Sequence, residues 1–139
     1  MRAQEWFARF PVLALEPVFT LRVVLGRDAS GRDERCLIRV YEGPETSAVG
    51  RGTTHTTLYC ELQHAGRVLF PREQFTVGIP HGDCLDSDYA KAAVLSLFAL
   101  KPGDTDEDFF EHYTPEQLDF CERYGEALSL EALNRYGEF

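Results

Sequence analysis

Cys60 and His64 stand four positions apart, and His81 and Cys84 three apart. Together they read C-x3-H-x16-H-x2-C, a spacing that suggests a zinc site. Zinc holds thiolate and imidazole ligands at about 2.0–2.3 Å. The residues around Cys60 alternate as a strand does, and four residues of strand span about 13 Å, so both side chains reach one ion only if the chain bends at His64. Cys60, in line with Leu58 and Leu62, reads better as a core residue and His64 as a turn residue. No metal and no cofactor are assigned.

The run His81-Gly82-Asp83-Cys84 offers a second chemistry. A thiol near a helix N-terminus, with a histidine beside it, becomes a thiolate nucleophile, and Asp83 could orient the imidazole. Yet Cys84 precedes the helix cap, and Asp83 and Asp86 oppose a negative thiolate. The chain carries no nucleophile elbow, phosphate-cradling glycine loop or metalloprotease helix motif. A small Cys/His- or metal-dependent enzyme centred on His81, Cys84 and His64 is therefore the alternative reading, and no catalytic residue is assigned.

Asp104, Asp106 and Asp108 have the one-three-five spacing that opens a calcium loop. Such a loop needs glycine at its sixth position and glutamate at its twelfth. Phe109 and Pro115 occupy those places, so the aspartates read as acids around a helix start.

Charge is the stronger signal. Residues 1–75 hold ten arginines and nine acids, while residues 76–139 hold four bases and fourteen acids, so the net charge of −9 resides in the second part. Glu107/Glu111, Glu116/Asp119, Asp119/Glu122 and Glu122/Glu126 are like-charge pairs at helical neighbour spacing, each costing a few tenths of a kcal/mol. A local preference violated repeatedly in one region marks function. The first reading is thus an inhibitor- or adaptor-like protein whose acidic C-terminal helices engage a basic protein partner, in one version by imitating the phosphates of nucleic acid. The partner-binding residues are Asp104, Asp106, Glu107, Asp108, Glu111, Glu116, Asp119, Glu122 and Glu126. Direct nucleic-acid binding is disfavoured. Arg22, Arg39, Tyr41 and Tyr59 fall on outward strand positions, but acids interleave them and RNA-binding sheet signatures are missing.

The elements that must hold these residues follow from periodicity. Val18–Leu25 and Arg35–Glu42 alternate as half-buried strands around the turn-forming Gly26–Asp33. Gly43–Gly52 reads as a loop of about ten residues. Thr53–Gln63, Arg67–Phe70 and Gln74–Ile79 supply the remaining strands, and Arg2–Phe10 a short helix that docks Trp6, Phe7 and Phe10. From Ala92 to Leu100 no charge occurs, which makes Asp86–Leu100 a buried helix far too short to span a membrane. Asp86 or Ser87 caps it. Thr105 is expected to cap a short acidic helix anchored by Phe109 and Phe110. Thr114-Pro115-Glu116-Gln117 is a strong helix start, and Gly125 ends or weakens that helix before Glu126–Tyr136 resumes it.

Strands first and helices after give a single α+β domain over 1–139: an antiparallel meander of four to five strands at 18–79, packed against a buried helix and an acidic helical region at 86–136. The N-terminal run is broken by Arg9, Pro11, Glu16 and Pro17, unlike a signal peptide, so a cytoplasmic location is expected, with Cys36, Cys60, Cys84 and Cys121 as free thiols.

Overall fold

Period-two alternation becomes one antiparallel sheet. The computed structural model describes residues 16–47, 54–80 and 84–137. The strands are β1 (Phe19–Arg27), β2 (Asp33–Ser47), β3 (Thr54–His64), β4 (Arg67–Phe70) and β5 (Thr76–Pro80). β1 pairs with β2 and β2 with β3. The far edge of β3 takes two short strands end to end, β4 beside Leu62–His64 and β5 beside His55–Tyr59. The connections of described length are too short for parallel crossovers, so every pairing is antiparallel. The helix expected over Arg2–Phe10, with Trp6, Phe7 and Phe10, lies outside the described residues.

Asp28 shapes the first hairpin. Its Oδ1 accepts from the backbone N–H of Ser30 (2.9 Å) and Arg32 (3.1 Å) and from the Ser30 hydroxyl (2.6 Å). These donors favour the ionised carboxyl and hold its pKa below the ordinary value.

β2 runs past the point where the sequence suggests a loop. After a bulge between Glu42 and Glu45, the ladder resumes at Glu45↔Thr56 and continues to Ser47↔Thr54. Pro44, which has no N–H to donate, falls inside that bulge, where a strand tolerates proline. At Gly43 an added Cβ would sit 2.3 Å from the Tyr59 ring, so only glycine lets that ring lie against the strand.

Two helices cover one face of the sheet: α1 (Asp88–Ala99) and α2 (Pro115–Tyr136). Ser87 caps α1, its Oγ accepting from the N–H of Ala90 at 3.1 Å. No residue from Ala90 to Leu100 is exposed, as the uncharged run requires. The inward strand positions, Leu21, Val23, Ile38, Val40, Leu58, Cys60 and Leu62, meet Val94, Leu95 and Phe98 of α1 and Phe120 and Leu128 of α2 in one core. Phe70 lies at its centre, its ring 4.9–5.7 Å from those of Phe75, Phe98 and Phe120. Such edge-on aromatic contacts add about 0.5–1.5 kcal/mol each beyond area burial.

The start of α2 follows the sequence pattern closely. Thr114 Oγ1 accepts from the N–H of Gln117 (3.1 Å), and Gln117 Oε1 accepts from the N–H of Thr114 (2.9 Å). Gln117 is buried, and its Nε2 donates to the carbonyl of Leu69 at 2.9 Å, tying the helix start to β4.

Two expectations are corrected here. Gly125 does not end a helix, because α2 is continuous through it to Tyr136. An added Cβ there would lie 2.8 Å from the carbonyl oxygen of Ala99, so glycine permits a close approach of α1 and α2 at this point. Ahead of α2, Thr105 does not cap a helix. The segment forms only a 3-10 helix, Glu107–Phe110, preceded by Asp106 without a side-chain cap. Asp104 instead closes a turn, its Oδ2 accepting from the N–H of Lys101 at 3.1 Å. Among the described residues no helix is long and apolar enough to cross a membrane.

Candidate functional site

The geometry of α2 sorts its carboxylates. Gln117, Phe120, Cys121, Tyr124, Gly125, Leu128 and Ala132 are buried against the body. At 3.6 residues per turn, Glu116, Asp119, Glu122 and Glu126 fall within roughly 120° on the opposite side. All four are exposed. They are not equally free of cations. Arg67 of β4 pairs with Glu116, so an arginine of the basic part does neutralise one carboxylate of the acidic part. Arg123 lies 3.7 Å from Asp119, one turn along the same helix. Glu122 and Glu126 have no ion-pair partner among the described residues.

The other predicted carboxylates lie on the connection between α1 and α2. Asp104 is committed to its turn. Asp106, Glu107, Asp108 and Glu111 are exposed, again without an ion-pair partner among the described residues. Phe110 is buried and pins this segment, whereas Phe109, expected to anchor it as well, is 41% exposed. The acidic residues thus form two groups, one along the outer face of α2 and one on the connection that enters it.

Two concavities border these groups, and neither is evident from sequence. The first, about 370 Å³, lies between the β3–β4 turn and α2 and is lined by His64, Arg67, Glu116, Asp119, Arg123 and Tyr124. His64 Nε2 is 2.9 Å from Glu34 Oε1, and the His64 ring packs against Phe120 and Tyr124 at 5.2 and 5.4 Å. Hydrogen bonds from Tyr124 and His64 hold the Glu34 carboxyl below its ordinary range, and burial together with the bond to Glu34 raises the Tyr124 phenol. This polar cluster ties the far end of the inward sheet face to α2. The second concavity, about 580 Å³, is lined by Phe75, Leu97, Phe109 and Tyr113, with Gln74, Thr76 and His112 as its polar members. The Phe109-Phe110 pair inside an acidic run was the one sequence signal for it.

Of the enzyme reading's residues, Cys84 and His64 are not brought together. Pro80, the last residue of β5, pairs with His55 near the start of β3, while His64 is the last residue of β3. Cys84 therefore follows a strand that ends about 30 Å along the sheet from His64. His81 and Asp83 lie outside the described residues. The Cys84 thiol is exposed, whereas burial pushes the thiols of Cys36, Cys60 and Cys121 up to about 12, which leaves them protonated and unreactive. Among the described residues no three of His, Cys, Asp and Glu stand together as a metal site.

The outward sheet face carries Arg22, Arg39, Tyr41 and Tyr59, as their strand positions imply. Arg39 lies 3.8 Å from Glu61, and Tyr41 is roofed by the Arg72 guanidinium at 4.5 Å. Both tyrosines are less than a tenth exposed, so neither ring offers a platform for a nucleic-acid base. No protein family, curated protein or solved structure matches this chain.

Proposed function

We propose that this protein is a binding protein, inhibitor- or adaptor-like, that engages a basic protein partner through the carboxylates of its C-terminal part. One observation carries the reading. Asp106, Glu107, Asp108, Glu111, Glu122 and Glu126 are exposed on or beside a well-anchored helix and form no ion pair among the described residues. Like charges held near one another cost free energy in the unbound protein. A basic partner relieves that cost and is steered toward the surface.

Imitation of nucleic acid is the weaker form of the idea. The four outward carboxylates of α2, Glu116 to Glu126, occur about once per 5 Å of helix axis, against one phosphate charge per roughly 1.7 Å of duplex. Two of the four are already paired. A basic protein surface that needs a few carboxylates, not a dense phosphate array, is the better fit.

Titration with a lysine-rich peptide at low salt tests the proposal. Binding is expected, and Glu122→Gln with Glu126→Gln should weaken it about threefold to tenfold, the loss expected for two screened surface charges. The Glu116→Gln change should cost less, because Arg67 already occupies that carboxylate. Absence of binding, or equal effects of all three substitutions, would contradict the assignment.

A further inference from the structure

We propose that the groove beside the 3-10 helix receives one large apolar side chain from a basic peptide segment, while the carboxylates of the α1–α2 connection hold the cationic residues that flank it. The inference rests on the acidic partner surface proposed above and names the chemistry of the segment that docks there.

The groove is built from side chains with other obligations. Phe75 is buried in the core, its ring 4.9 Å from Phe70 and 5.5 Å from Tyr113. Leu97 is half-buried on α1. Phe109 forms the lip. Its ring lies 5.0 Å from Phe110 and 5.9 Å from Tyr113, so it is held in place although 41% of it meets solvent. An aromatic-lined space of about 580 Å³ falls within the range of ligand pockets, roughly 300–1,000 Å³.

Charge selects the occupant. Residues 102–122 contain no lysine or arginine, and Asp106, Glu107, Asp108 and Glu111 surround Phe109 in sequence. An anionic ligand, a fatty acid or a phosphate group would meet repulsion at the lip. A cationic segment gains attraction along the Phe109 lip, and an apolar side chain between its charges gains burial against Phe75, Leu97, Phe109 and Tyr113. That combination, one aromatic or long aliphatic residue between lysines or arginines, is the partner the groove fits.

The test uses the full chain and two fluorescent peptides of about a dozen residues, rich in lysine and arginine, that differ only in tryptophan or alanine at the centre. The tryptophan peptide is expected to bind about tenfold more tightly. Phe109→Ala, an exposed site where folding can be verified by circular dichroism, should erase that difference and leave the alanine peptide unaffected. Changing Asp106, Glu107, Asp108 and Glu111 to their amides should weaken both peptides and preserve the ratio between them. Equal binding of the two peptides, or a tryptophan preference that survives Phe109→Ala, would overturn the docking groove while leaving the acidic surface standing. Unchanged affinities in the amide variant would overturn the role given to the flanking carboxylates. Failure of both peptides to bind would remove the acidic-surface reading and the groove with it.

Discussion

Replacing Gly125 with alanine sets two effects of opposite sign against each other. In a helix interior alanine is favoured over glycine by about 0.8–1.0 kcal/mol. Here the added methyl would stand 2.8 Å from the carbonyl oxygen of Ala99, and 3.6 and 3.8 Å from its carbonyl carbon and Cα. The closest atom is backbone, which has no rotamer to move. Relief requires α1 and α2 to separate by roughly half an ångström. That separation would disturb the same interface where Cys121 Sγ approaches the carbonyl of Phe98 at 3.9 Å. Overpacking of this kind costs about 1–3 kcal/mol. The clash outweighs the propensity gain, and a net loss of about 1 kcal/mol is expected. Urea unfolding followed by circular dichroism reads it as a lower midpoint with an unchanged slope. A variant more stable than wild type by about 1 kcal/mol would refute the close approach of the two helices at this residue.

Further outcomes follow from other buried or bonded groups. With a thiol reagent at mildly alkaline pH, Cys84 should react in the native state while Cys36, Cys60 and Cys121 react only on unfolding; mass spectrometry of labelled peptides reads the pattern. Gln117→Leu should destabilise by about 1–3 kcal/mol, because it leaves the Thr114 N–H and the Leu69 carbonyl without their partner; thermal unfolding measures it. Hydrogen bonds hold the Glu34 carboxyl below its reference value of 4.5, so they stabilise the fold above that pH, and the contribution fades as pH falls through the folded-state pKa. Stability curves of wild type and Glu34→Gln should accordingly converge as the pH is lowered below 4.5.

Periodicity made the sheet legible, since Leu21, Val23, Ile38, Val40, Leu58 and Leu62 alternate with polar or half-exposed neighbours and all point into one core. The uncharged run after Lys91 and the Thr114–Gln117 box placed the two helices, because capping and burial are local properties of sequence. What escaped the sequence depends on contacts between distant residues. Gly125 reads as a residue that ends or weakens its helix until Ala99 is seen against it. Pro44 reads as a loop until the bulge that accommodates it is present. The pairing of Glu116 with Arg67 spans the acidic and basic parts, so the charge count alone overstated how many carboxylates face solvent without a cation. Nothing local joins Phe75 and Leu97 to Phe109 and Tyr113, and the groove became evident only once the β4–β5 connection and α1 lay side by side.

The most direct measurement of the central claim is the salt dependence of affinity for a lysine-rich peptide, compared between wild type and a variant with Asp106, Glu107, Asp108, Glu111, Glu122 and Glu126 changed to their amides. The account predicts that wild-type affinity falls steeply and linearly on logarithmic axes as salt rises, and that the variant loses most of that slope. A shallow slope in the wild type, or the same slope in both proteins, would contradict it.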